Sequence, residues 1–212
     1  QKENLYTHEL LSPFSAVQDT ILSELKQRTK PEDASYPIKY DDYYYYNKEE
    51  KGLEYPIYCR KFKNLDAPEE IILDVNKLAQ NEDYLDIGNL KVSPNHKLLA
   101  FCLDTNGSEE FTLFFKNLDT NELISEKIAG VAPDFEWCNN SESIYYLKLN
   151  DKHVADKVYH HNINHSDKQK TLIYTELDPD YHLALFKSMS GKYIFLEAFT
   201  HGNSETLYIS LD

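Results

Sequence analysis

Val92-Ser93-Pro94-Asn95-His96-Lys97-Leu98-Leu99-Ala100-Phe101, Trp137-Cys138-Asn139-Asn140-Ser141-Glu142-Ser143-Ile144-Tyr145-Tyr146 and Lys187-Ser188-Met189-Ser190-Gly191-Lys192-Tyr193-Ile194-Phe195-Leu196 align without gaps. Each is a polar turn leading into an apolar strand. Their starts, at 92, 137 and 187, are spaced as the blades of a β-propeller are. A second alternating strand follows each: Phe111/Leu113/Phe115, then Tyr159/His161/Ile163, then Leu207/Ile209/Leu211. Between the repeats lie a turn at Asp119-Thr120-Asn121 with a short strand near Leu123, and a turn from His165 to Lys168 with a strand from Thr171 to Thr175. About four antiparallel strands per repeat result. A β-sandwich also strings short strands together, but it does not need one turn to recur at blade spacing.

Working outward, Tyr43 to Tyr46, a charged turn from Asn47 to Gly52 and Tyr55 to Lys61 read as a hairpin. Ile71 to Asp74 reads as a strand and Asn76 to Gln80 as a brief helical turn. Towards the start, Leu10, Leu11, Phe14, Val17, Ile21, Leu22 and Leu25 follow helical spacing. Ser12-Pro13 is read as N-cap and first helical residue, and the pattern ends before Pro31. The expected fold is mainly β: a partial β-propeller of three to four four-stranded blades over 41–212, preceded by a helical segment over 1–40. That helix carries an apolar stripe, and little beside it in sequence can cover it.

Composition agrees. The 212 residues include 17 Tyr but only 6 Gly and 1 Met, and 41% are apolar, which argues against disorder. The net charge of −14 repels phosphate backbones, so a nucleic-acid partner is not expected. It suits solubility and would attract cationic ligands. No apolar run reaches membrane-spanning length and no signal peptide is visible, so no membrane partner is expected. Cys59, Cys102 and Cys138 are sparse, odd in number and far apart, which favours free thiols in a reducing compartment, read as cytoplasmic. Sequons at Asn106, Asn139 and Asn164 are too short a signal to favour secretion.

The search for chemistry within these residues is mostly negative. No two of the six glycines stand four apart, so there is no G-x-S-x-G elbow, and no P-loop, dinucleotide fingerprint or H-E-x-x-H occurs. His160, His161 and His165, with His153 nearby, offer ligand-like spacing. Adjacent residues on a strand face opposite ways, however, so a structural role is the stronger reading. Glu69-Glu70, Asp41-Asp42 and Glu109-Glu110 read as solvated acidic faces. Asp104-Thr105-Asn106-Gly107 reads as a turn rather than a calcium loop. Trp137 reads as a core residue at a strand start. No catalytic, cofactor-binding or metal-binding residue is assigned, and no cofactor is expected.

Ordered segments nonetheless resemble the N-terminal region of the prolyl oligopeptidase family of serine peptidases, most of all its oligopeptidase B branch. They are Glu3-Asn4-Leu5-Tyr6-Thr7; Asp33-Ala34-Ser35-Tyr36-Pro37 with Tyr43 to Tyr46; Tyr55 to Lys61 with Glu70 to Asn76; Val92 to Gly107; Phe111 to Leu118; Trp137; Lys157 to His161; and Ser204-Glu205. Val154-Ala155 departs from the pattern, standing where an Arg-Pro pair is expected. The resemblance implies a seven-bladed propeller that admits short peptides to an α/β-hydrolase domain of the same polypeptide. It implies that the helix of 1–40 packs on that domain and that a Ser, Asp and His triad lies beyond Asp212. Hydrolysis would follow Lys or Arg, and these 212 residues alone would be inactive. A non-catalytic propeller or a β-sandwich, either serving as an interaction module, is the alternative.

Overall fold

The computed structural model describes residues 1–163 and 170–211. They fall into two compact units, divided between Leu78 and Ala79.

In the first unit, helix α1 (Lys2–Leu11) and helix α2 (Ser15–Arg28) are joined by a 3-10 turn at Ser12–Phe14. The helix thus starts ten residues before the expected Ser12 cap. Ser12 does not cap α2; its hydroxyl donates back to the Glu9 carbonyl at 3.1 Å. Pro13 lacks an N–H and interrupts the ladder, which tightens locally instead of ending. Neither helix buries a residue, and Leu5, Leu10, Leu11, Phe14, Val17, Ile21, Leu22 and Leu25 all stay exposed.

Strands β1 (Asp33–Ala34), β2 (Ile38–Tyr40), β3 (Tyr43–Glu49), β4 (Ile57–Phe62) and β5 (Glu70–Asp74) make one antiparallel sheet. The expected hairpin is β3–β4, with Tyr43 opposite Phe62 and Lys48 opposite Ile57. Arg60, nearly fully buried, lies under the Tyr43 ring and holds Glu70 through two 2.8 Å bonds. A short helix α3 (Val75–Leu78) follows, and a 3-10 turn at Ala79–Asn81 opens the second unit.

The second unit continues as a meander. Strands β6 (Asp86–Val92), β7 (Leu98–Asp104), β8 (Phe111–Asn117), β9 (Glu122–Trp137), β10 (Ser143–Leu149), β11 (Ala155–Asn162) and β12 (Thr171–Thr175) pair each with the next. Strands β13 (His182–Lys187), β14 (Tyr193–Phe199) and β15 (Ser204–Ser210) form a separate sheet. Every pairing is between sequence neighbours, as in propeller blades and unlike the crossed connections of a sandwich.

The expected short strand near Leu123 is in fact the first half of β9, which spans 16 residues. Its residues Glu122–Val131 pair with β8, and Val131–Trp137 pair with β10. Val131 is the exchange point, opposite both Phe111 and Lys148. One strand therefore closes one blade and opens the next. Gly130 sits at the bend with φ of +69°, where a Cβ would meet the Lys148 ammonium. Trp137 accordingly ends a strand instead of starting one. We designate β6–β8 with the first half of β9 as blade I, the second half of β9 with β10–β12 as blade II, and β13–β15 as blade III.

The three repeats have one turn chemistry. At the second position of each, the N–H of Ser93, Cys138 or Ser188 donates to the carbonyl five residues on. The residue three further along, His96, Ser141 or Gly191, has positive φ and donates back to it. The carbonyl at the sixth position, Lys97, Glu142 or Lys192, accepts from Leu118, Ile163 or Leu211 beyond the third strand. Identical closure at all three sites satisfies the turn's backbone groups and sets the register of each following strand.

Two apolar seams join the blades. Ala100, Cys102, Phe111, Leu113 and Phe115 meet Trp137, Ile144, Tyr146 and Ile163 between I and II. Leu147 and Val158, with Tyr145 and Tyr174, meet Leu183, Leu185, Ile194, Leu196 and Ala198 between II and III. Gly88 belongs to the first strand of blade I, where a Cβ would lie 2.6 Å from Phe111 Cε1 and 2.8 Å from Pro133 Cβ. Gly88→Ala should therefore destabilise this unit by about 1–3 kcal/mol through overpacking. Urea titration followed by fluorescence of Trp137, the single tryptophan, reads this; an unchanged midpoint would refute the close approach.

Candidate functional site

The first strands of the three blades, β6, the second half of β9, and β13, lie side by side. Their turn-proximal ends carry a polar chain. Lys91 Nζ donates to Glu136 Oε1 at 2.6 Å, and the backbone N–H of Lys187 donates to the same oxygen at 2.9 Å. Lys187 Nζ donates to the Trp137 carbonyl at 2.9 Å, and Trp137 Nε1 to the Lys91 carbonyl at 2.9 Å. Glu136 is buried while Lys91 is about a third exposed, so one cation solvates the wall and one carboxylate binds three strands together. Burial lowers the Lys187 ammonium below its ordinary value, Glu136 opposing that shift.

One step along β9, Asp134 is raised above the usual carboxylate range by burial, against the pull of Lys91 and of a bond from the Leu185 N–H. Asn89 Nδ2 donates to the Pro133 carbonyl at 3.1 Å. Beyond the strands, Asn95 N donates to Ser141 Oγ at 2.9 Å, and Asn139 Nδ2 to the Gly191 carbonyl at 3.0 Å, linking turn to turn. This arrangement can hold a wall of fixed shape with amphoteric polar groups. It contains no paired nucleophile and base.

The histidines are not brought together. His161 is fully buried, its Nε2 3.0 Å from Glu126 Oε1 on the blade I half of β9. His160 points to the other face, 4.8 Å from the Tyr145 ring, and burial followed by the neighbouring His161 lowers its pKa. His153 stands in the turn before β11 with positive φ, and His165 lies outside the described residues. Among the described residues no group of three His, Cys, Asp or Glu is placed to hold a metal.

Asp104 anchors its turn as expected: its carboxylate accepts from the N–H groups of Asn106, Gly107 and Glu109. Glu69 and Glu70 are exposed, as expected, and each is also paired. Glu69, just before β5, accepts from Lys48 and Tyr46 of β3, and Glu70, the first residue of β5, is the partner of buried Arg60 on β4. Cys59, Cys102 and Cys138 are free, buried, and all raised in pKa by burial, Cys59 to about 11. Val154 stands just before β11 and Ala155 begins it, and neither takes part in the polar wall. Sequence reasoning missed Lys91, Glu136 and Lys187. The signal was present: Lys91 and Glu136 each stand just before the first repeat position, and Lys187 occupies it.

Residues 1–211 match the family described as prolyl oligopeptidase, N-terminal β-propeller domain. The chain belongs to the prolyl oligopeptidase family. It is 29% identical to Protease 2 of Moraxella lacunata over all of this chain and 32% of that protein. It is also 29% identical to dipeptidyl aminopeptidase BI of Pseudoxanthomonas mexicana, over 96% of this chain and 30% of the relative. Among solved structures, oligopeptidase B from Leishmania major superposes with a TM-score of 0.91 at 27% identity, covering 99% of this chain and 30% of that one. Oligopeptidase B from Trypanosoma brucei, with covalently bound antipain in a closed form, gives 0.87 at 26%, over 97% of this chain and 29% of that one. The chain spans about a third of the length of these relatives.

Two outcomes follow from the wall. Lys91→Met leaves the buried Glu136 carboxylate with only the Lys187 N–H and should cost about 2–4 kcal/mol, more than Glu136→Ala, which strands that N–H while the part-exposed Lys91 ammonium can turn to water; urea midpoints compare them. For Asp134 the folded pKa is raised, so the folded state binds more protons than the unfolded chain and loses stability as pH rises through that window. Asp134→Asn should therefore be more stable than the parent at pH 7, with the gap closing towards pH 4. A gap that widens on acidification would reverse this assignment.

Proposed function

We propose that this chain is the N-terminal and propeller portion of a serine oligopeptidase that hydrolyses short peptides, after Lys or Arg. The observation that carries this reading is the end-to-end match of residues 1–211 to the N-terminal propeller domain of a peptidase family. In it, residues 1–40 pack on an α/β-hydrolase domain of the same polypeptide, and 41–212 form part of the propeller. The exposed apolar side chains of α1 and α2 support the first assignment, since a surface stripe of this kind calls for a partner. The triad is supplied beyond Asp212, and these residues contribute no nucleophile.

Peptide hydrolysis then runs through an acyl-enzyme. The serine attacks the carbonyl, the histidine takes its proton and returns it to the leaving amine, and backbone N–H groups hold the oxyanion. The role of this chain is exclusion. The polar wall of β6, β9 and β13 is tied strand to strand, so it bounds a passage of fixed width that favours short, flexible peptides over folded proteins. The net charge of −14 raises the local concentration of basic peptides and favours cleavage beside Lys or Arg. The three free buried cysteines support a reducing, cytoplasmic setting.

Equal identity to a dipeptidyl aminopeptidase favours one second reading: release of dipeptides from a free amino terminus. The test is the native protein treated with a fluorophosphonate serine probe, then assayed on Lys- and Arg-containing peptides with free or blocked amino termini. One probe per molecule of about three times this chain's mass, with cleavage of blocked basic peptides, is expected. Cleavage of free termini alone would support the dipeptidyl reading, and absence of labelling would overturn both.

A further inference from the structure

Asn106-Gly107 is the single Asn-Gly step in the sequence, and it lies in the turn between β7 and β8. An asparagine side-chain carbonyl carbon is open to attack by the nitrogen of a following glycine, since no Cβ screens that nitrogen. Here the turn surrounds the two reacting atoms with groups that assist. Asp104 is 2% exposed, and its Oδ1 accepts the Gly107 N–H at 3.0 Å. The carboxylate is thereby fixed on the proton that the nitrogen must lose, within the reach that general-base catalysis needs. Asn106 Oδ1 accepts from Ser108 Oγ at 2.6 Å and from the Ser108 N–H at 3.1 Å. Both donors stand where negative charge develops when the carbonyl is attacked. The second bond also folds the carboxamide back over the Gly107 peptide. Gly107 has φ of +73°, and beyond its chain neighbours the nearest atom to a Cβ placed there is in the Tyr84 ring, 3.8 Å away. The nitrogen is approached freely.

Three other turns serve as internal controls. Asn95, Asn117 and Asn140 each accept on Oδ1 from the N–H two residues on. Asn95 Oδ1 also takes the Ser93 hydroxyl at 2.8 Å. In all three, however, the following N–H, of His96, Leu118 or Ser141, donates to a main-chain carbonyl, which takes up no proton. Each of those following residues also carries a side chain. Of these four turns, that of Asn106 joins a polarised carboxamide, a bare glycine and a buried carboxylate.

We propose that residues 104–108 form a self-modifying turn in which Asn106 deamidates through a cyclic imide, with Asp104 as base and Ser108 as oxyanion donor. The Gly107 nitrogen attacks Asn106 Cγ and passes its proton to Asp104. The new C–N bond replaces the Cγ–Nδ2 bond, and Nδ2 leaves as ammonia with the proton that Asp104 returns. One solvent water then opens the imide, which the exposed position of Asn106 leaves accessible. Addition at Cγ gives aspartate. Addition at the main-chain carbonyl gives isoaspartate, whose chain runs on through the side-chain carbon. Either product sets a new carboxylate beside Asp104, Glu109 and Glu110, and no oxidant or reductant takes part.

The inference is independent of the peptidase reading. The full-length protein is held folded and, separately, unfolded in guanidinium chloride at one pH and temperature. Conversion of Asn106 is followed by peptide mapping, and isoaspartate by methyltransferase labelling. The folded protein should convert at least about tenfold faster than the unfolded chain, because base and donors are positioned only in the turn. Asp104→Asn keeps the shape but takes up no proton, and should remove that advantage. Ser108→Ala, at an exposed position, should slow the folded rate about tenfold. Circular dichroism checks that each variant folds, and Ser108→Ala carries the comparison if Asp104→Asn does not. Asn95, Asn117 and Asn140 should stay unconverted over the same period. Slower conversion in the folded protein than in the unfolded chain overturns the proposal. So does a folded Asp104→Asn or Ser108→Ala variant that converts at the parent rate, or equal conversion at Asn95.

Discussion

Successive sheets in the second unit meet through apolar faces, and the rest of that unit follows from this constraint. A four-stranded meander with one dry face can stop at a layer of helices, but a sheet apolar on both faces has to be continued. Strands β7 and β10 are accordingly apolar on both faces. Leu98–Asp104 is nearly buried throughout, with Phe101 stacked on Phe114 on one side and Ala100 and Cys102 in the seam on the other. Repetition of the turn keeps the faces in phase, since a one-residue slip would exchange forward and backward sets at every strand.

Strand β9 makes the coupling between blades I and II covalent as well as apolar. Its two halves serve different sheets, and the reversal of duty at Val131 requires the positive φ of Gly130 just before it. Blades II and III are joined differently, through Glu136, Trp137 and Lys187 on their first strands and Asn139 at their turns. Polar groups along the first strands hold these sheets at a set spacing, while the apolar seams supply the area. Sheets held this way present a wall of fixed shape, the property on which the proposed exclusion of folded proteins rests.

Much of the architecture was legible before any coordinates. The turn at Ser93, Cys138 and Ser188 is encoded within ten residues, by small polar residues and a position tolerant of positive φ, so it reads directly from sequence. Strand β3 runs on to Glu49 into the expected turn, while β4, β5 and β12 fell close to where they were expected, as did the helical turn after Asp74. The start of α1 and the length of β9 did not. Pro13 looks like a beginning because it has no N–H to donate to the preceding turn, yet a 3-10 turn absorbs it. The short strand expected near Leu123 likewise runs on through Gly130 and Pro133, bending there instead of ending.

What the sequence by itself determined is the repeat, its strands and turns, the absence of a nucleophile elbow in these residues, and the membership in a peptidase family. These depend on interactions between residues a few places apart, or on an ordered set of short motifs. Tertiary structure alone decided that Lys91 finds Glu136, that His161 and His160 enter different seams, and that Glu70 neutralises Arg60. Partners such as Lys91 and Glu136 stand 45 positions apart. Their meeting depends on how successive sheets stack, and no local preference of the chain specifies which carboxylate a given cation will reach.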